Sequence, residues 1–73
     1  MSMLKYYEDK YNRLKEHLFL SSKVYTQQAR ADAQFFGPHD EYTKRSRAAA
    51  AALEHLIKTA GLEDDFKDWE KNH

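Results

Sequence analysis

The chain contains a single proline, Pro38, which directly follows Gly37. Proline cannot continue a helix that precedes it, and glycine readily ends one. On both sides of this pair the sequence has helical periodicity, with no comparable break until Gly61. One break in so long a helical pattern predicts a hairpin of two antiparallel helices followed by a short tail.

We therefore predict an all-α fold with one domain over residues 1–73. The first helix is expected over about residues 2–35 with Ser2 as its N-cap, and the turn over 36–38. The second helix is expected over about 39–60, because Pro38 suits the first helical position and acidic residues follow it. Gly61 is a natural C-terminal stop, and Leu62 is placed for the hydrophobic contact that often accompanies such a stop. Residues 61–73 form an acidic, aromatic tail.

Apolar residues recur at spacings of three and four from Leu4 to Phe36, which indicates one face of a helix. If the chain turns near residue 37, this face packs against the apolar side of the second helix. The predicted pairs are Ala33 with Tyr42, Ala29 with Ser46, Tyr25 with Ala49, Leu18 with Leu56 and Leu14 with Ala60. The first helix is the longer one, so Met3–Tyr11 stays uncovered unless the tail folds back or another chain docks there.

A chain of 73 residues without cysteine has a marginal core and no disulfide to stabilise it. Self-association is the usual remedy, and we expect a homodimer, with the two hairpins forming a four-helix bundle. Several dimer topologies bury similar areas, and the sequence does not choose among them.

The tail places Leu62, Phe66 and Trp69 on one side of a helix. These side chains either close the protein's own bundle or anchor it in a hydrophobic groove of a partner. The partner-binding surface predicted from the sequence combines them with the tyrosines of the uncovered segment, and it comprises Tyr6, Tyr7, Tyr11, Leu62, Phe66 and Trp69.

The sequence has no cysteine, no glycine-rich phosphate loop and no nucleophile elbow, so we expect no catalytic activity. The prediction is a small adaptor or inhibitor of a protein partner, of the kind common among phage and bacterial accessory proteins. A further alternative is a structural subunit of a larger assembly. The sequence does not distinguish this function from that of an adaptor or inhibitor.

A second alternative is an RNA- or DNA-binding hairpin. Twelve basic and twelve acidic residues cancel overall, but residues 61–73 hold five acidic and two basic side chains, so the rest of the chain is mildly basic. Clustered cations are what phosphate contacts require. The candidates are Lys23, Arg30, Lys44, Arg45 and Arg47.

Four histidines raise the question of a metal site. The predicted hairpin brings His17 and His55 near each other, beside Glu16 and Glu54, but neither helix has two ligands at the spacing of a helical zinc motif. We expect no metal and no cofactor. The lack of cysteine, of a long apolar run and of a signal-peptide core leads us to expect a cytoplasmic protein that does not associate with membranes.

Overall fold

The computed structural model describes residues 2–73. Over those residues it has three helices, α1 (Met3–Phe36), α2 (Glu41–Thr59) and α3 (Glu63–Lys71), and no strand. The all-helical prediction is confirmed. The molecule measures 51 × 21 × 19 Å, and α1 sets its length because a helix rises about 1.5 Å per residue.

The first helix begins at the predicted cap. The Ser2 hydroxyl oxygen accepts a hydrogen bond from the Lys5 backbone N–H at 3.2 Å, which satisfies one of the free donors of the first turn. The helix ends at Phe36, where the Gly37 N–H donates to the Ala33 carbonyl at 3.1 Å. Gly37 has φ 90°, a conformation that glycine adopts without strain.

The turn is longer than predicted and α2 begins later. Asp40 is the N-cap, its carboxyl oxygen accepting from the Tyr42 N–H at 2.9 Å, and the helix starts at Glu41. Pro38 therefore lies in the turn and not at the first helical position. The fully buried Thr43 hydroxyl donates to the Gly37 carbonyl at 2.7 Å, which ties the start of α2 to the end of α1.

The end of α2 follows the sequence prediction closely. Gly61 has φ 74°, and its N–H donates to the Lys58 carbonyl at 3.1 Å. The Leu62 N–H donates to the Ile57 carbonyl at 2.9 Å, and the two side chains pack in one buried cluster. This is a Schellman motif with its hydrophobic contact, and it stops α2 because only glycine adopts the required left-handed backbone freely.

The predicted register between α1 and α2 is wrong by about one helical turn. Ser46 donates a hydrogen bond to Asp32, where the prediction had Ser46 facing Ala29. The Tyr42 ring lies 5.3 Å from the Phe36 ring, where the prediction had it facing Ala33. The cause is the turn, because a longer connection shifts α2 along α1.

The predicted seam is also wrong. Leu14, Tyr25 and Leu56 were expected between the helices, yet they are 70%, 44% and 52% exposed. The side chains that α1 and α2 bury are Phe19, Ser22, Ala29, Asp32, Thr43 and Ile57. The packing of α1 on α2 thus buries a face of α1 that carries polar and small residues next to Phe19, and it leaves the more apolar face at the surface.

The tail folds back on α1 as a helix. Lys15 pairs with Asp65 at 3.4 Å, and the Lys23 ammonium donates to the His73 carbonyl at 2.7 Å, so α3 runs in the same direction as α1. Between these contacts, the centroid of the Phe19 ring lies 5.1 Å from the centroid of the Phe66 ring and 5.9 Å from that of the Trp69 ring. The α3 helix therefore covers α1 from about residue 15 to residue 23, and every residue from 2 to 14 stays exposed.

Within residues 2–73, none of the helices has an apolar stretch of the length needed to cross a bilayer.

Candidate interaction surface

The main candidate site is an apolar groove between α1 and α2, which we call the open groove. Its apolar walls are Tyr11, Leu14, Leu18, Tyr25, Leu53, Leu56 and Leu62. Leu14 and Leu56 expose more than half of their surface, although both project from well-formed helices. Lys15 and His17 are the ionisable groups at its edge besides Tyr11 and Tyr25. A long, apolar, open depression of this kind fits a helix better than a small molecule.

The apolar face continues from the open groove toward the start of α1. Leu4 and Tyr7 precede Tyr11 and Leu14 at spacings of three and four, so the four side chains lie on one side of the helix. Leu4 is 70% exposed and Tyr7 58%. We call residues Met3–Tyr11 the N-terminal segment. Its apolar side chains extend the open groove beyond the reach of α2 and α3.

The α3 helix leaves this face open because it lies on another side of α1. Its aromatic residues contact Phe19, which is rotated by about 100° from Leu18 around the helix axis. Phe19 is 1% exposed and belongs to the same cluster as Ile57 and Leu62. One side of the α1–α2 pair is thus closed by α3, and within residues 2–73 no helix covers the side that carries the open groove.

The predicted partner-binding residues fall into two groups. Tyr6, Tyr7 and Tyr11 are about half exposed, and the Tyr6 and Tyr7 rings meet edge to face at 5.5 Å. The tail residues instead contribute to the protein's own fold: Leu62 is buried, and Phe66 and Trp69 pack against the core cluster. The structure therefore brings the tail residues together around Phe19 and leaves the tyrosines exposed on the N-terminal segment, with Lys10 over the Tyr6 ring and Lys15 over the Tyr11 ring.

Trp69 is held by contacts within the chain. Its ring stacks on His73 at 4.3 Å and has the Lys23 ammonium 5.9 Å above it. The indole N–H is buried without a hydrogen-bond partner among residues 2–73, which costs free energy that a surface tryptophan would not lose. The position of Trp69 thus depends on packing rather than on polar contacts.

The predicted basic cluster is divided between surfaces. Arg30 and Arg47 line one shallow depression between α1 and α2, and Arg47 also donates to the Pro38 carbonyl at 3.3 Å. Lys44 and Arg45 are exposed on α2. Lys23 lies against α3, where its ammonium binds the His73 carbonyl. Only the two arginines are brought together.

The histidines do not converge on a metal site. Among residues 2–73, no three histidine, aspartate or glutamate side chains lie close enough to bind one ion together. His17 lies at the edge of the open groove, and His55 is exposed on α2.

A second exposed aromatic patch, which was not predicted from the sequence, lies at the turn. Phe35 is 82% exposed, and Phe36 and Tyr42 are more than half exposed and contact each other. The sequence signal was present, since two phenylalanines precede the glycine that ends α1.

Four buried residues that organise the fold were missed at the sequence level, namely Phe19, Asp32, Thr43 and Ile57. Asp32 is 7% exposed and accepts hydrogen bonds from Ser46 and from the Gln28 amide, the latter at 2.8 Å. Phe19, Ser22, Ala29 and Asp32 do recur at helical spacing, but their mixed polarity hides the stripe beside a more apolar neighbour.

Comparisons of the chain with protein-family models, with curated proteins and with solved structures find no match.

Proposed function

We propose that this chain is a small, non-catalytic protein–protein interaction module that acts as an adaptor or inhibitor of a protein partner. The observation that supports it is the open groove with its continuation along the N-terminal segment. Soluble monomers rarely expose a contiguous apolar surface of this size unless it binds something. Its apolar walls and its length suit helix-in-groove recognition, in which a partner helix inserts apolar side chains at spacings of three and four.

Self-association forms part of this proposal. The two hairpins form a dimeric four-helix bundle, because a chain with so few fully buried side chains gains stability by burying its apolar surface against another copy. A cysteine-free chain of this kind suits a reducing compartment, and we place it in the cytoplasm.

The proposal is tested by capturing the tagged protein from a native lysate, with and without nuclease. Tyr7→Ala should reduce the yield of any stoichiometric protein partner at least about tenfold, as loss of an interface tyrosine does. Tyr42→Ala is the matched control, because Tyr42 is exposed to a similar extent but lies at the turn, away from the groove. Equal loss of the partner in both variants would contradict the proposal. So would a failure of the unchanged protein to capture any protein partner from the nuclease-treated lysate.

A nucleic-acid function is the second candidate, and the shared depression lined by Arg30 and Arg47 favours it. Two guanidinium groups on one surface can contact phosphates in bidentate fashion. If it holds, Arg47→Ala should weaken binding to all sequences alike, and affinity should fall steeply as salt rises. Phosphate contacts weaken strongly between about 50 and 200 mM salt. An affinity that does not change over this range would exclude the nucleic-acid function.

A further inference from the structure

We propose that the open groove is occupied by a second copy of this chain, in a reciprocal arrangement. The N-terminal segment of each copy lies in the open groove of the other, so that the two α1 helices pair antiparallel with Leu14 near the twofold axis. This inference rests on the proposed self-association and specifies its surface and its orientation. A helix of a foreign partner that enters the open groove must then displace the second copy.

The geometry of α1 supports reciprocity. Leu4 precedes Leu14 by nearly the same number of residues as Tyr25 follows it, so both halves of the face have the same length. With Leu14 on the axis, Leu18 faces Tyr11 of the second copy, and Tyr25 faces Leu4 of the second copy. Each copy therefore supplies both a groove and the apolar helix that fills it. A parallel pairing would place the groove-lining half of α1 against its own equivalent and would pair the two N-terminal segments with each other, beyond the reach of α2.

The exposed area is close to what a stable dimer needs. Six side chains of the face are between 44% and 70% exposed, namely Leu4, Tyr7, Tyr11, Leu14, Tyr25 and Leu56. For leucine and tyrosine these fractions amount to roughly 700 Å² per copy, against about 800 Å² per partner in a standard interface. Polar flanking groups and the partly exposed Leu53 add to this area, so full burial of the face would reach the size of a specific interface.

The charges permit the antiparallel pairing. The N-terminal segment carries both signs, with Lys5 and Lys10 beside Glu8 and Asp9. The part of α1 that it would contact, residues 18–28, has one charged side chain, Lys23, and that ammonium is bound on the α3 side. The N-terminal segment therefore meets no row of like charges, whereas at the axis Arg13 and Lys15, which flank Leu14, approach their counterparts in the second copy.

The first test is the mass in solution, measured by sedimentation equilibrium across a wide concentration range. Leu14→Glu should raise the dimer dissociation constant at least about 100-fold, because the axis loses two buried leucines and gains two carboxylates in close contact. Helicity should be kept at low concentration, since Leu14 is 70% exposed in the single chain. Leu20→Glu is the matched control: Leu20 is 50% exposed but does not line the groove, and its dissociation constant should change less than about threefold. Equal dissociation by both variants would overturn the proposed face.

The second test is orientation. The chain has no cysteine, so Tyr7→Cys and Ser21→Cys each introduce a unique thiol. In the reciprocal dimer these positions approach each other across the interface, and a mixture of the two variants should form the mixed disulfide in preference to either homodisulfide. If the Tyr7→Cys variant formed mainly a disulfide with a second copy of itself, the α1 helices would be parallel. That result would overturn the reciprocal arrangement.

Failure of this inference can be told apart from failure of the proposed function. A protein that stays monomeric at millimolar concentration, yet captures a foreign protein that Leu14→Glu releases, overturns the second copy as occupant together with the proposed self-association, and leaves only the proposed binding of a protein partner in place. A monomer that captures no protein overturns both.

Discussion

Phe19 is the residue on which the tertiary fold most depends. It is 1% exposed and is the α1 side chain that meets the aromatic rings of α3. Leu18 also packs against this cluster but is only partly buried, and Leu20 is half exposed, so neither neighbour fills the same space. The docking of α3 therefore depends largely on one phenylalanine.

Phe19→Ala should destabilise the fold by about 3–5 kcal/mol, the usual cost of removing a buried aromatic ring. Because a chain of this size has little stability in reserve, α3 should undock. Trp69 is the only tryptophan, so its fluorescence emission should shift to longer wavelength as it becomes solvated. Leu20→Ala, at a half-exposed site, should cost much less in urea unfolding followed by circular dichroism. Similar losses in the two variants would show that Phe19 is not the centre of the core.

The hydrogen bond between Ser46 and Asp32 is a part-buried polar contact that joins α1 to α2. Both side chains lie between α1 and α2, where water competes less for their hydrogen bonds. Asp32→Ala and Ser46→Ala should each destabilise the protein by about 1–3 kcal/mol. The double variant should lose less than the sum, with a coupling of at least about 0.5 kcal/mol in a thermodynamic cycle. Strict additivity would mean that the two groups do not interact in solution.

At the scale of the elements, the boundaries of the helices are set by local signals. Ser2 and Asp40 cap the starts of α1 and α2, and Gly61 ends α2 with a left-handed residue. The hydrogen bonds at Gly61 and Leu62 also set the direction in which α3 leaves α2. A change at Gly61 should therefore affect both helices.

Gly61→Ala should destabilise the protein by about 1–2 kcal/mol, because an L-residue at φ 74° is strained even where its Cβ meets no other atom. Gly61→Asn should cost less, since asparagine tolerates this conformation better than alanine does. Thermal unfolding of the two variants checks the order. If the Gly61→Ala variant were as stable as the unchanged protein, residue 61 could not have the left-handed conformation at the end of α2.

At the scale of the whole molecule, the distribution of apolar surface is the main feature. One side of the α1–α2 pair is closed by α3 and buries Phe19, Ile57 and Leu62, whereas the other side leaves the open groove exposed. The proposed self-association would add the burial of this large exposed apolar face to a small core.

The thermal midpoint should therefore rise by several degrees when the protein concentration is raised about 100-fold, because mass action stabilises a dimer. Leu14→Glu should remove this dependence while leaving the midpoint at low concentration nearly unchanged. Circular dichroism at two concentrations is sufficient. A midpoint independent of concentration in the unchanged protein would place its stability entirely within one chain.

Local sequence signals determined the helical class, the Ser2 cap, the turn near Gly37, the end of α2 at Gly61 and the helical stripe of Leu62, Phe66 and Trp69. Each depends on the conformational preference of one or two residues, or on their spacing, and needs no knowledge of distant contacts. Tertiary structure alone decided which side of α1 is buried, the register against α2 and the direction of α3. Periodicity shows that a helix has an apolar face. Whether that face is buried within the same chain or stays exposed to another chain depends on how all three helices pack. Here a longer turn and the docking of α3 on Phe19 bury a mixed face, and the most apolar face remains at the surface.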